Sequence, residues 1–221
     1  MSEQVTAAIV VVLWAAGLAG LGGWAARLAR GGRVTPFAVR KAFHVTAGLT
    51  VMPLALWVKP WYLAAIPVTF MLAGNARGNL ARLREAGAGK RAAYVGAGVV
   101  LPVLFALFLW SRGRADVVAL AVLMMSFGDA AAAVAGRAWG RARGLPEGRK
   151  TAAGLAAYVV AALGAAALGA WVMGAPRPVP WPVFAAASAA GGAAEALCPG
   201  AWDNPVVLLV TLSALSLFLL I

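Results

Sequence analysis

Apolar residues run in long blocks along this chain, and charged residues gather between them. The blocks cover residues 5–26, 44–58, 61–76, 92–110, 116–135, 151–173, 181–197 and 205–221. A helix needs about 20 apolar residues to cross the roughly 30 Å hydrocarbon core of a bilayer. Blocks 5–26, 92–110, 116–135 and 151–173 are of that order. Blocks 44–58 and 61–76 are short and meet at Lys59-Pro60, a pair that predicts a tight turn between two short helices. Block 181–197 is shorter and weaker. The pattern predicts an all-α polytopic membrane helix bundle with seven or eight transmembrane helices, eight being preferred. All of it forms a single integral membrane domain over residues 1–221. The first block has no basic residue before it and several after it. It is also long for a signal-peptide core, so it reads as a retained membrane helix.

Composition strengthens this reading. Hydrophobic types make up 63% of the chain and charged types 12%, against about 45–50% and about 25% in soluble domains. A water-soluble globule, a disordered chain and a disulfide scaffold are excluded. The net charge of +12 would suggest nucleic acid in a soluble protein, but here its distribution argues otherwise. Arg27, Arg30, Arg33, Arg40 and Lys41 lie between the first two blocks. Segment 77–91 carries five basic residues and Glu85, and segment 137–150 carries five and Glu147. The alternate connections hold little more than Lys59, Arg112, Arg114, Asp116 and Arg177. With eight spans, the basic segments share one side. The positive-inside rule makes that side cytoplasmic and the N-terminus external, in a protein of the cell membrane. No nucleic-acid partner is expected.

Finer punctuation adds detail. Pro176, Pro178, Pro180 and Pro182 predict an extended external link. Segment 77–91 reads as a solvated basic loop or a short helix on the membrane surface. Gly128, Ala132, Gly136 and Gly140 recur every four residues, and Gly154, Ala161, Ala165 and Gly169 follow in the next block. Small faces of this kind let helices approach closely, so a tight pair is expected around the fifth and sixth spans. The one cysteine, Cys198, permits no intrachain disulfide. The one histidine, His44, excludes a His-rich zinc centre.

Polar residues inside or beside the apolar blocks are the candidates for chemistry. Asp129 stands in a membrane block, where a carboxylate must pair, bind a cation or line a wet cavity. Its bland alternative is an ion pair with Arg40 or Lys150. Gly128 beside it permits close approach of a backbone or a ligand. Arg40, Lys41 and His44 share one helix region by their spacing and suit a phosphate or a lipid headgroup. Arg149, Lys150 and Thr151 open the sixth block, where a capping hydroxyl and a lysine can hold phosphate. The same residues serve equally as a topology signal and a cap, and no Walker A spacing is present. Glu195 is nearly alone in an apolar block, as a site residue or as the partner of a basic loop residue, and Asp203-Asn204 precede Pro205 as either site residues or a capped turn. Asn75 and Arg77 end the third block with less weight. In the eight-span arrangement all these residues fall on the cytoplasmic side. Carboxylates beside lysines there suggest a Mg²⁺–phosphate site more than a pore.

Arranged in order, Arg40-Lys-x-x-His44, Gly128-Asp129, Gly136-x-x-x-Gly140, Lys150-Thr151-x-x-Gly154, Glu195-Ala-Leu and Asp203-Asn204 resemble the membrane family of dolichol kinase, phytol kinase and CTP-dependent diacylglycerol kinase. That family is related to the phosphatidate cytidylyltransferases. The likeness spans residues 40 to about 209. It implies a CTP-dependent kinase that phosphorylates a membrane lipid alcohol at the cytoplasmic face. The lipid would be a polyprenol, a phytol-like isoprenoid or diacylglycerol. The alternative enzyme is a phosphatidate cytidylyltransferase making a CDP-lipid. A small membrane transporter or lipid-binding protein is the alternative outside enzymes. The resemblance further implies Mg²⁺ as cofactor, held by Asp129 with Asp203, and Asp129, Lys150, Asp203 and Glu195 as catalytic residues. Arg149, Lys150, Thr151, Arg40, Lys41, His44, Gly128 and Asn204 would contact the nucleotide phosphates or the lipid hydroxyl. The lipid groove has no clear location, with Asn75 and Arg77 as its nearest candidates. A homodimer is compatible with this reading.

Overall fold

The computed structural model describes residues 2–32, 34–66, 69, 94–139, 150–174, 179–198 and 202–220. Asn75, Arg77, segment 77–91, Gly140, Arg149, Pro176 and Pro178 lie outside the described residues. Every regular element among those described is helical. Among the described residues, three helices are long and apolar enough to cross a membrane, and shorter apolar helices accompany them.

The first long helix, α1, spans Glu3–Arg30. The Ser2 side chain caps it by accepting from the Val5 amide. Glu3 in its first turn and Arg27 and Arg30 in its last match the helix dipole, which extends it past both ends of its apolar block. Helix α2 spans Pro36–Leu49, with Thr35 as its cap. It starts well before the apolar block at residue 44, because Thr35 and a proline at the first helical position form a strong start signal. Arg40, Lys41 and His44 therefore sit inside a helix. Leu49 ends α2 because Pro53 has no N–H to donate to its carbonyl. Helix α3, Val51–Trp57, follows at once. Residues 58–60 are non-helical and 61–66 are helical again, so the expected turn at Lys59-Pro60 is present. The Trp110 indole N–H donates to the Val58 carbonyl at 2.8 Å and pins that turn.

A π-helical segment, Tyr94–Val100, runs directly into α4, Leu101–Ser111. Helices α5 (Ala115–Trp139), α6 (Ala152–Met173), α7 (Trp181–Leu197) and α8 (Asp203–Leu220) follow among the described residues. Two expectations about prolines are corrected. Pro182 lies in the first turn of α7 rather than in an extended link, since a first-turn N–H has no helical partner to lose; Pro180 before it is extended. Helix α8 begins at Asp203, so Asp203 and Asn204 are helical residues rather than a turn ahead of the helix.

Helix α5 is the axis of the bundle. Val117 through Ser126 are buried without interruption, so no face of that stretch meets the surroundings. The buried share of its apolar window is 67%, against 22% for α1 and 28% for α6, which marks those two as peripheral. Helices α2, α3, α4, α6 and α8 all pack on α5. Its tightest neighbour is α6, as the small-residue faces predict. A Cβ on Gly154 would stand 3.0 Å from the Ala132 carbonyl oxygen, and one on Gly136 would stand 3.2 Å from Thr151 Oγ1. One on Gly169 would stand 2.8 Å from Leu123. Residue numbers rise on one helix as they fall on the other, so the pair is antiparallel. Apolar surface gains little from helix association in lipid, and such close packing supplies the attraction instead.

Candidate functional site

Each candidate charge is delivered to one end of the bundle by a different helix. Helix α2 carries Lys41 and His44 near its middle, and α5 carries Asp129 in its second half. Lys150 and Thr151 precede α6, Glu195 closes α7 and Asp203 opens α8. The antiparallel α5–α6 packing places the end of one helix beside the start of the next. Residues far apart in sequence are thereby grouped.

Two ion-pair clusters result. In the first, Lys41 Nζ donates to Asp129 Oδ1 at 2.7 Å and to Oδ2 at 2.6 Å, and lies 3.4 Å from the Asp129 carbonyl oxygen. His44 Nε2 stands 3.6 Å from Asp129 Oδ2. That nitrogen is buried and makes no hydrogen bond with any described residue. In the second cluster, Lys150 Nζ donates to Glu195 Oε1 and lies 3.8 Å from Asp203 Oδ2. Asp203 Oδ1 accepts from the Asn204 amide at 2.9 Å. The clusters are not isolated from each other. Asp203 is within electrostatic range of Lys150, Asp129 and Lys41, and His44 is within range of Asp203.

The partner of Asp129 is Lys41, neither Arg40 nor Lys150. Arg40 lies about 100° round the helix from Lys41 and is exposed. Lys150 is taken by Glu195 and Asp203, a basic residue beside α6 pairing with the acid of α7. Thr151 caps α6: its Oγ1 accepts from the Gly154 amide at 3.0 Å. Gly128 admits a ring, where the sequence left open a backbone or a ligand. A Cβ there would stand 2.6–2.8 Å from the Tyr158 side chain.

Tyr158 itself escaped the sequence reading. Its side chain is wholly buried and fills slots left by three glycines. Gly128 lies on one side of it, beside Asp129. Gly191 and Gly192 lie on the other, about one turn before Glu195; a Cβ on either would stand 2.8 or 3.2 Å from the tyrosine. The ring thus packs between the helices that carry Asp129 and Glu195, within electrostatic range of both carboxylates. Its hydroxyl faces Gly191 together with Thr211 Oγ1. The Tyr158 and Thr211 hydroxyls interact with each other, and the buried Ser188 hydroxyl makes no hydrogen bond among the described residues. One signal was available in the sequence: Tyr158 interrupts a helix otherwise built of alanine, glycine and aliphatic residues until Trp171.

The donor set bears on a cation. Among the described residues, no three His, Cys, Asp or Glu side chains are assembled as a ready metal site. Mg²⁺ does not require one, since it commonly takes one or two carboxylates and completes its shell with water and substrate phosphate. Asp129 and Asp203 offer oxygen ligands of the right hardness within range of each other. No family model, curated protein or solved structure matches the chain.

Proposed function

We propose that this chain is a CTP-dependent kinase of a membrane lipid alcohol, working at the face that carries the two ion-pair clusters. One observation carries the reading. Three carboxylates and two lysines from five separate places in the chain converge at one end of an apolar bundle. A membrane protein incurs the cost of burying such charges for a function, and alternating acid and lysine is the equipment of phosphoryl transfer. The opposite half of α5 supports an enzyme over a transporter. From Val117 to Met125 it is buried and wholly apolar, which leaves no polar path along the central helix. The topology we favour has eight spans and cytoplasmic basic segments.

In this reading Asp129 and Asp203 hold Mg²⁺. The metal, when bound, supplies charge neutralisation between the donor phosphates. Lys41 and Lys150 neutralise the polyphosphate, helped by Arg149. Thr151 fixes the start of α6, and so the position of Lys150. Glu195 orients Lys150 and takes the alcohol proton as the lipid oxygen attacks the terminal phosphorus. The bond from that phosphorus to the bridging oxygen breaks, and CDP leaves. His44 stands against Asp129 Oδ2, the oxygen that Lys41 also holds.

The experiment is turnover by the full chain in liposomes with Mg²⁺, labelled CTP and a panel of polyprenols, phytol-like alcohols, diacylglycerol and phosphatidate. The expected products are CDP and one phosphorylated alcohol, both lost in Asp129→Asn. Pyrophosphate with a CDP-lipid would replace the kinase by a cytidylyltransferase. No product from monodisperse protein would overturn the enzyme reading.

A further inference from the structure

Each carboxylate of the site already has a cation seated on it, and each seated cation is a lysine. Lys41 spends its contacts on Asp129, touching both carboxylate oxygens and the carbonyl. Lys150 donates to one oxygen of Glu195 and reaches toward Asp203. A divalent cation arriving alone meets an ammonium on the carboxylate it would bind. A polyphosphate arriving alone meets lysines that are occupied, beside carboxylates that repel it. Both obstacles vanish if the two ligands come together. The ammonium groups then swing to the phosphates, and the carboxylates turn to the metal. His44 Nε2, buried beside Asp129 with no hydrogen-bond partner among the described residues, is the polar atom left waiting in the present arrangement.

We propose that the site takes a divalent cation and a polyphosphate as one complex and neither alone, with Lys41 and Lys150 holding the cation's place until it arrives. This rests on the nucleotide reading above. It adds an exchange of partners that the reading does not require.

The consequence is reciprocal and runs against ordinary expectation: removing a site residue should improve binding of a single component. Lys41→Gln exposes Asp129, so Mn²⁺ alone, followed by its EPR signal, should bind at least about tenfold tighter than to the wild type. Asp129→Asn releases Lys41, so tripolyphosphate in EDTA should bind at least about tenfold tighter, the factor being of the size usual for coupled sites. Lys150→Gln repeats the Mn²⁺ test at the second pair, should either first variant fail to fold. All measurements use the full chain in detergent, checked for monodispersity. If folded variants bind single components no tighter than the wild type, the exchange is wrong. If Mn²⁺ with β,γ-methylene-CTP still binds to wild type in that case, the nucleotide reading survives it. If the gains appear with tripolyphosphate while the CTP analogue is ignored, the exchange stands and the CTP reading falls. No binding of any probe to any variant overturns both.

Discussion

Helix α5 carries two aspartates that teach opposite lessons. Asp116, in its first turn, is gripped by Arg114 two residues away, Nε to Oδ1 at 2.9 Å and Nη2 to Oδ2 at 3.0 Å. Asp129, about 20 Å further along the helix at 1.5 Å per residue, is gripped by Lys41 from 88 residues away. Burial does not separate them: side-chain exposures are 13% and 10% for the first pair, 15% and 14% for the second. What separates them is origin. The first pair belongs to one turn of chain and also benefits from the helix N-terminus. The second exists because α2 docks on α5, and it stands beside a second pair assembled in the same way. Equal burial of charge therefore says little about purpose, whereas convergence of charges from distant elements says a great deal.

The sharpest way to break this comparison is to neutralise the distant pair and measure turnover. Asp129→Asn should lower kcat by at least about a hundredfold, the scale for losing a charge that organises a transition state. Arg114→Met should leave kcat within about twofold. If both variants lose activity equally, the contrast between the two ends of α5 is false.

Next in size is the packing beneath the site. Gly128→Ala drives a methyl group into the Tyr158 ring, whose other side is fixed by Gly191 and Gly192. Such overpacking should cost about 1–3 kcal/mol, read as a lower unfolding temperature in detergent. An unchanged transition would mean that the ring moves freely in its slot.

Arg114→Met should cost about 1–2 kcal/mol in the same assay. That is below the usual cost of breaking a buried pair, because Asp116 keeps the α5 N-terminus and Arg114 Nη1 has no hydrogen bond to lose among the described residues. Smallest is Thr151→Ala, which removes the hydroxyl cap of α6 and should cost about 1 kcal/mol. If the cap also positions Lys150, KM for the nucleotide should rise in that variant while Arg114→Met leaves it alone.

Much of this architecture was legible in the chain because the signals are local. Apolar run length marked the helices, and α7 begins and ends where its block does. Gly128, Ala132 and Gly136 forecast the close approach to α6, since a missing side chain is a property of the residue itself. Boundaries were less legible where capping outranked hydropathy, as at Thr35-Pro36 and Asp203. Pairing was the least legible. Arg40 and Lys41 are neighbours of like charge, and nothing local says which faces Asp129; the rotation of α2 about its axis decides it. The role of Tyr158 was hidden for the same reason, because three glycines on two other helices define its slot.

The sequence alone determined that the chain is an all-helical bundle with apolar helices of membrane-spanning length, and which residues are too polar for that setting to be incidental. Periodicity and transfer energy are properties of short stretches, so they survive without a fold. Tertiary structure decided that Lys41 neutralises Asp129, that Lys150 serves Glu195 and Asp203, and that one buried ring packs between the helices of Asp129 and Glu195. Coulomb energy and contact depend on distances between helices, and those distances are fixed when the helices pack.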